Sequence, residues 1–305
     1  MARGTFPRLG AGLAFAIAAA GAAGAADGLR YVVLVEGGKR AGYQVVAEGD
    51  DGVTRTEFVF KDNGRGPELR EEFSLNPDGT FRRYRVIGTS TFGAPVDEAF
   101  TLADGVARWT STSDRGEQRV EAGAQYSPLG GSPAAASVSL AALAARPDGR
   151  LPLIPSGVLG ARKVAEAQVR KGGDRRSVQL LAITGIGFAP SFAWATDEAR
   201  PRLFAYIHPG FVQMIEEGWE ANADALEEVQ KRAESEALVA MHGRLAHRLP
   251  GTTLVRNARV FDSEHARLGE ASDVRLRDGR IESVVPAGTD ADAADHVIDA
   301  GGRVL

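Results

Sequence analysis

The sequence predicts a mainly β protein: an antiparallel β-domain with a helical insertion, then a long amphipathic helix, then a small β-segment. Three observations carry this reading. From Tyr31 to about Glu121, short runs rich in β-branched and aromatic residues recur between glycine and aspartate turns, the spacing of an antiparallel all-β architecture. Between Phe211 and Arg248 the apolar residues recur at the helical period. After Pro250-Gly251 the two-residue alternation of strands returns.

The chain begins with an expected export signal over residues 1–26, in which Arg3 and Arg8 precede an apolar stretch from Leu9 to Ala23. Small residues at Ala23-Gly24-Ala25-Ala26 offer a cleavage site, so the mature protein is expected to start at Ala26 or Asp27 and to be periplasmic or secreted. The chain has no cysteine, which excludes disulfides and thiolate metal sites and leaves stability to packing.

Residues 27–209 read as the β-rich domain. Strands are expected at Tyr31-Val35, Gly42-Ala47, Arg55-Phe60, Leu69-Leu75, Phe81-Val86, Ala99-Leu102 and Ala107-Ser111. The breaks between them fall at Gly37-Gly38, Asp50-Asp51-Gly52, Asp62-Asn63-Gly64, Pro77-Asp78-Gly79 and Asp104-Gly105. Ser127 to Pro133 is a Gly/Pro/Ser loop, Ala134 to Ala145 a short helix, and Pro147-Asp148-Gly149 its end. Strands resume at Lys163-Arg170, Ser177-Thr184, Phe188-Thr196 and Leu203-His208, an order that fits a curved sheet wrapped partly around a helix.

Residues 210–251 are expected to hold the amphipathic connecting helix, with Ile215, Trp219, Leu226, Val229, Ala233, Met241 and Leu245 on its apolar face. Glu227/Lys231 and Glu228/Arg232 are i,i+4 pairs, and Leu249-Pro250-Gly251 stops the helix. In residues 252–305, Leu254 to Phe261 alternates as a strand and Val274 to Val285 forms a hairpin split by Asp278-Gly279. Val297-Ile298 is a short strand before the Ala300-Gly301-Gly302 turn.

A net charge of −4 and a pI near 5.8 give no basic footprint, so nucleic acid is not an expected partner. Once the signal is removed, no membrane span is expected. The five histidines, His208, His242, His247, His265 and His296, include no H-x-H, and His242 and His247 stand about 140° apart on a helix. Each reads as a solvent-facing residue. Glu216-Glu217 and Glu227-Glu228 read as a solvated helix face, and Gly157 to Lys163 fails the phosphate-loop spacing. No catalytic, cofactor-binding or metal-binding residue is therefore assigned within this chain.

Three runs in the last segment, Asn257-Ala-Arg-Val-Phe-Asp262, Asp273-Val-Arg-Leu-Arg-Asp-Gly-Arg-Ile281 and Val297-Ile-Asp-Ala-Gly-Gly-Arg-Val-Leu305, together resemble the opening of the amidohydrolase superfamily. The resemblance implies that residues 252–305 are the N-terminal β-segment of an amidohydrolase composite domain, with the catalytic (β/α)8 barrel absent because the chain ends just before the expected H-x-H phrase. It further implies a parent enzyme, exported and metal-dependent, that hydrolyses carbon-nitrogen bonds other than peptide bonds. The parent would use a divalent metal, zinc foremost, on a small-molecule amide or dipeptide, and this chain alone would be inactive.

Phe58, Phe60, Phe73, Phe81, Tyr84, Phe92, Phe100 and Trp109 sit at positions compatible with inward-facing strand residues and supply a core. A sharper reading of the same aromatics is an apolar cavity in a curved sheet. It leads to a second functional expectation, a periplasmic binding or carrier module whose β-domain holds an apolar ligand.

Overall fold

The computed structural model describes residues 28–290 and 292–305, which divide into two compact units at the boundary between Ser235 and Glu236. The expected export signal lies outside the described residues.

The first unit opens as a meander of β1 (Leu29–Val35), β2 (Lys39–Glu48), β3 (Thr54–Phe60), β4 (Glu68–Leu75), β5 (Phe81–Thr89), β6 (Pro95–Ala103), β7 (Val106–Thr110) and β8 (Arg115–Arg119). Each strand pairs antiparallel with the next. The tightest connection, Asp104-Gly105, places both residues at positive φ (52° and 70°), the backbone a two-residue hairpin needs. There follow β9 (Gln125–Tyr126), helix α1 (Pro133–Ala144), β10 (Arg150–Ile154), β11 (Val158–Lys171), β12 (Asp174–Thr184), β13 (Ser191–Thr196), β14 (Leu203–His208) and β15 (Val212–Glu216). β15 pairs antiparallel with β1, so the two halves join into one 15-stranded sheet with β1 and β15 at its centre and β8 and β9 at its edges.

That topology forces the sheet to roll. Laid flat, fifteen strands would put the edges about 65 Å apart, yet β8 and β9 are linked by residues 120–124 alone, a connection that spans about 20 Å at full stretch. The contacts agree: the Tyr126 ring of β9 stacks on Phe100 of β6 at 4.3 Å, joining the two halves across the inside.

Alternation along the strands divides their side chains between two faces. On β1, Tyr31 and Val33 point inward to Leu140, Ala142 and Leu143 of α1, which lies within the curl. A helix with Ala and Leu on every side suits that place, because it has no solvated face to supply. Val32 and Leu34 point outward to a second core with Leu180, Trp194, Phe204, Ile215 and Trp219, closed by Ala223, Leu226 and Ala233 of helix α2 (Ala223–Leu245). β13 and β14 are thus covered on both faces. Their sequences read as nearly unbroken apolar runs for that reason.

The helix expected from Phe211 begins later. Val212 to Glu216 is a strand, with Val212 and Met214 turned inward and Ile215 outward, and Gly218 at φ +86° interrupts any helical continuation. Ile215 and Trp219, four apart, mimic helical spacing because a turn returns Trp219 to the same outer core. β8, β9 and β10 are further strands that the sequence pattern did not signal, being short and, in Arg115–Arg119, polar.

In the second unit, β16 (Thr252–Asp262), β17 (Arg267–Arg277), β18 (Arg280–Pro286) and β19 (His296–Asp299) form a four-stranded sheet in the order β18-β17-β16-β19, with β19 parallel to β16. Asp278 and Gly279 take the left-handed backbone (φ 47° and 75°) that the hairpin demands. Val255, Ala258 and Val274 form its small core, and the Asp273 carboxylate accepts from Asn257 N (3.0 Å) and Gly288 N (2.8 Å).

Candidate functional site

Between α1 and the inner face of β1, β3 and β11–β15 lies a cavity of about 530 Å³, within the range of small-molecule sites. Val33, Phe58, Phe60, Leu159, Ile183 and Met214 form its sheet wall. Across from them, α1 presents Pro133, Ala135, Ala136 and Ser139. The space follows from side-chain size. Ala136 and, on β13, Ala193 stand where a larger residue would reach across, so the helix is held in the curl without filling it.

Two buried carboxylates hold the segment that enters this helix. Glu71, 1% exposed, accepts from Thr56 Oγ1 (2.6 Å), Tyr84 OH (2.7 Å), Ser132 N (2.6 Å) and the Ser132 hydroxyl. Glu98, 2% exposed, accepts from Tyr126 OH (2.7 Å), Leu129 N (3.0 Å) and Gly130 N (2.8 Å). A buried carboxylate is costly unless its lone pairs are filled, and here the loop's backbone and two phenols fill them. Burial and the adjacent carboxylates push both Tyr84 and Tyr126 well above the usual phenol range. These groups form a structural clamp, all of whose oxygens are engaged.

Further hydrogen bonds fix α1 along its length. Ser132 Oγ caps Ala134 N and accepts from Gln44 Nε2 (2.6 Å), Gln125 Nε2 donates to Ser139 Oγ (3.0 Å), and Leu203 N donates to Ser137 Oγ (3.0 Å). The cavity is therefore bounded by a positioned helix. Glu71 and Glu98 were legible in principle: each falls between two inward apolar residues of its strand, Leu69 and Phe73, Val96 and Phe100.

At one margin of the cavity the rings of Tyr206 and His208 meet edge to face at 4.9 Å. Partial burial pulls His208 below the ordinary imidazole range, against an upward pull from Glu234, and burial raises the Tyr206 phenol. Phe211 packs on Phe60 at 6.0 Å beside them. His208, expected to be a plain surface residue, is thus exposed at its edge but lines the cavity.

The other singled-out residues lie elsewhere. His242 and His247 are exposed, His265 sits against Asp262 at 2.8 Å, and His296 is half-buried in β19. Among the described residues no group of three His, Asp or Glu side chains is placed to hold a metal ion. Glu216 pairs with Arg202 (2.6 Å) and Arg176 (2.8 Å), and Glu217 with Arg30 and Arg40. Glu227, read as solvated, is buried, accepting from Gly210 N and Gln213 Nε2 as well as Lys231. Of the aromatics assigned to the core, Phe92 departs: it lies in the β5–β6 loop and is 82% exposed.

No family model matches the chain, and no curated protein matches it. Among solved structures it is similar to a beta-barrel-like protein of domain of unknown function DUF1849 from Brucella abortus, at 12% identity and a TM-score of 0.40, over 62% of this chain and 94% of that one. None of these findings is an amidohydrolase. The expected amidohydrolase membership, its composite domain and its carbon-nitrogen hydrolase function are corrected accordingly. The three runs that suggested them, 257–262, 273–281 and 297–305, fall largely within the strands and turns of the four-stranded sheet of residues 252–299.

Proposed function

We propose that this protein is a binding or carrier module that holds an apolar small molecule in the cavity between α1 and the rolled sheet. One observation carries the reading: a cavity of about 530 Å³, walled by aliphatic and aromatic side chains and bounded by a helix that a hydrogen-bonded clamp fixes in place. The polar groups around it are hydroxyls, one phenol and one imidazole, which suits a ligand that is apolar over most of its length and neutral or weakly acidic at one end. Operation outside the cytoplasm is part of the proposal and rests only on the sequence pattern of residues 1–26, which is expected to act as an export signal.

The test is to titrate the purified protein with a dansyl-labelled fatty acid and follow its emission. Saturable binding at one site is expected, weakened about tenfold or more in Ala136→Phe, where the added ring occupies space the ligand needs. Ala136 is exposed and lines the cavity, and an unchanged Tm would show that the variant keeps the fold. No saturable binding, or equal binding by the variant, would remove the reading.

A further inference from the structure

The exposed apolar side chains of the first unit are not scattered. Among its described residues the large hydrophobics on the surface are Leu75 (40%), Phe92 (82%), Leu129 (71%), Ile186 (66%), Phe188 (109%) and Phe211 (55%). All but Leu75 lie in four loops, 90–94, 127–132, 185–190 and 209–211, and each of these loops lines the cavity or directly adjoins a residue that does: Thr91, Ser127 and Pro128, Ile186, Phe211. Strand direction puts the four at the same end of the rolled sheet, the end at which β1 finishes and β15 starts. A monomeric soluble protein has no reason to gather its exposed rings around one opening.

The composition of these loops points the same way. They contain Phe, Leu, Ile, Pro, Gly, Ala, Ser and Thr, and no Asp, Glu, Lys or Arg, in a chain that is 25% charged. At the opposite end, residues 49–53 carry Asp50 and Asp51, and 197–202 carry Asp197, Glu198, Arg200 and Arg202. In three of these loops, 90–94, 127–132 and 209–211, backbone groups already have partners within the protein. Ser90 N bonds Ala94 O, Gly93 N bonds Ser90 O, Phe211 N bonds His208 O, and Leu129 N and Gly130 N are taken by Glu98. Such turns can enter a medium without water and leave few donors unmade.

We propose that this apolar rim inserts into the surface of a lipid bilayer, so that the cavity exchanges its ligand with the membrane. The inference rests on the apolar-ligand reading of the cavity. A ligand with an exposed hydrocarbon chain pays for every methylene that crosses water, and a rim seated among acyl chains removes that crossing. The form of the patch favours a bilayer over a protein surface, since separate loop tips bearing one or two apolar side chains, Phe188 fully exposed, offer no continuous face for a complementary partner. Beside the rim, the 61–67 loop touches the Thr91 carbonyl through Gly66 N and carries Lys61, Asp62 and Arg65. These charges would stay among headgroups and limit insertion to the side chains at the tips.

The experiment is co-sedimentation of the purified protein with phosphatidylcholine vesicles, alongside transfer of bound dansyl fatty acid to them. Wild type is expected to pellet with these zwitterionic vesicles, and to do so nearly equally at low and high salt, because the apolar tips carry the association. Phe92→Ser/Phe188→Ser, which changes two surface side chains, is expected to lower the partition about tenfold or more and to slow transfer in step. The same variant should bind the fatty acid in vesicle-free buffer as wild type does. Loss of fatty-acid binding by wild type itself would count against the cavity reading, whereas intact binding without vesicle association would overturn the docking proposal alone. Salt-sensitive association, or a self-associated species in sedimentation velocity that Phe92→Ser/Phe188→Ser abolishes, would overturn it too, the latter in favour of a protein interface.

Discussion

Ser132 and Glu71 meet where helix α1 begins: the Glu71 carboxylate accepts from both the backbone N–H and the hydroxyl of Ser132, from a strand 61 residues earlier in the chain. The same Ser132 hydroxyl caps the helix by accepting from Ala134 N. One side chain therefore sets where α1 starts and ties that point to the sheet wall. Because the cavity is the space between the two, its dimensions depend on this junction.

Replacing Glu71 by Ala is expected to destabilise the protein by roughly 3 kcal/mol, since it strands buried donors on Thr56, Tyr84 and Ser132. For a domain of this size that lowers Tm by roughly 6–12 °C. Fatty-acid binding should weaken as well. A Glu71→Ala protein with wild-type Tm would show that the clamp does not hold the helix.

How much of this was readable in the sequence depended on whether a signal was local. Hairpin turns such as Asp104-Gly105 and Asp278-Gly279 announce themselves because few residues accept their backbone angles. The α1 insertion was legible from its Ala/Leu run and the Pro147-Asp148-Gly149 stop. The pairing of β15 with β1 was not, because it joins residues about 180 positions apart and no short-range pattern encodes it. With that pairing hidden, Ile215 and Trp219 passed for a helical stripe. The cavity arises from what is small, Ala136 and Ala193, and small residues carry little sequence signal. In residues 252–305 the strands were legible from their alternation and the Asp278-Gly279 turn, whereas the family read from three short residue runs was not supported.

Helix α2 is attached to the outer face through Gln230, 1% exposed, which accepts from Trp194 Nε1 (3.1 Å) and donates to Ile207 O (2.8 Å). Gln230→Leu removes both bonds and leaves the indole N–H buried and unpaired, at a cost of about 1–3 kcal/mol. Hydrogen exchange should report it locally: amides of residues 223–235 are expected to lose protection more than those of β4–β6. Uniform loss across the sheet would mean that the helix is part of the same cooperative unit.

Acid should weaken the first unit through Glu216. Burial raises its pKa, but hydrogen bonds from Arg202 and Arg176 outweigh that and hold it below the ordinary carboxylate value. With the folded pKa depressed, the ionised pair contributes stability above the unfolded value of about 4.5. That contribution is lost as pH falls through the folded value. Glu216→Gln is expected to be less stable than wild type near neutrality, by about 1–2 kcal/mol given the partly exposed arginines. The gap should begin to narrow as pH falls through the unfolded value and close below the depressed folded one. Denaturant unfolding at a series of pH values checks it, and a gap that persists unchanged into acid would assign the effect to packing.

His208 should sense occupancy of the cavity. Partial burial already holds its imidazole below the ordinary range, with Glu234 pulling the other way, and its ring lies against Tyr206 at the cavity margin. A ligand there would displace water that solvates the cation and lower the pKa again. Linkage fixes the sign: the bound state takes up a proton less readily than the free state, so binding must weaken as pH falls through the free protein's His208 pKa, which lies below about 6.5. The effect is reduced by the ring's exposed edge. Two measurements check it. In NMR titrations the His208 ring signal should show a midpoint lower with fatty acid bound than without. In the dansyl assay, affinity should drop between neutral and mildly acidic pH for wild type and stay level for His208→Gln. If the midpoint rises on binding, the acidic end of the ligand lies against the imidazole, and its charge rather than lost water governs the titration of His208.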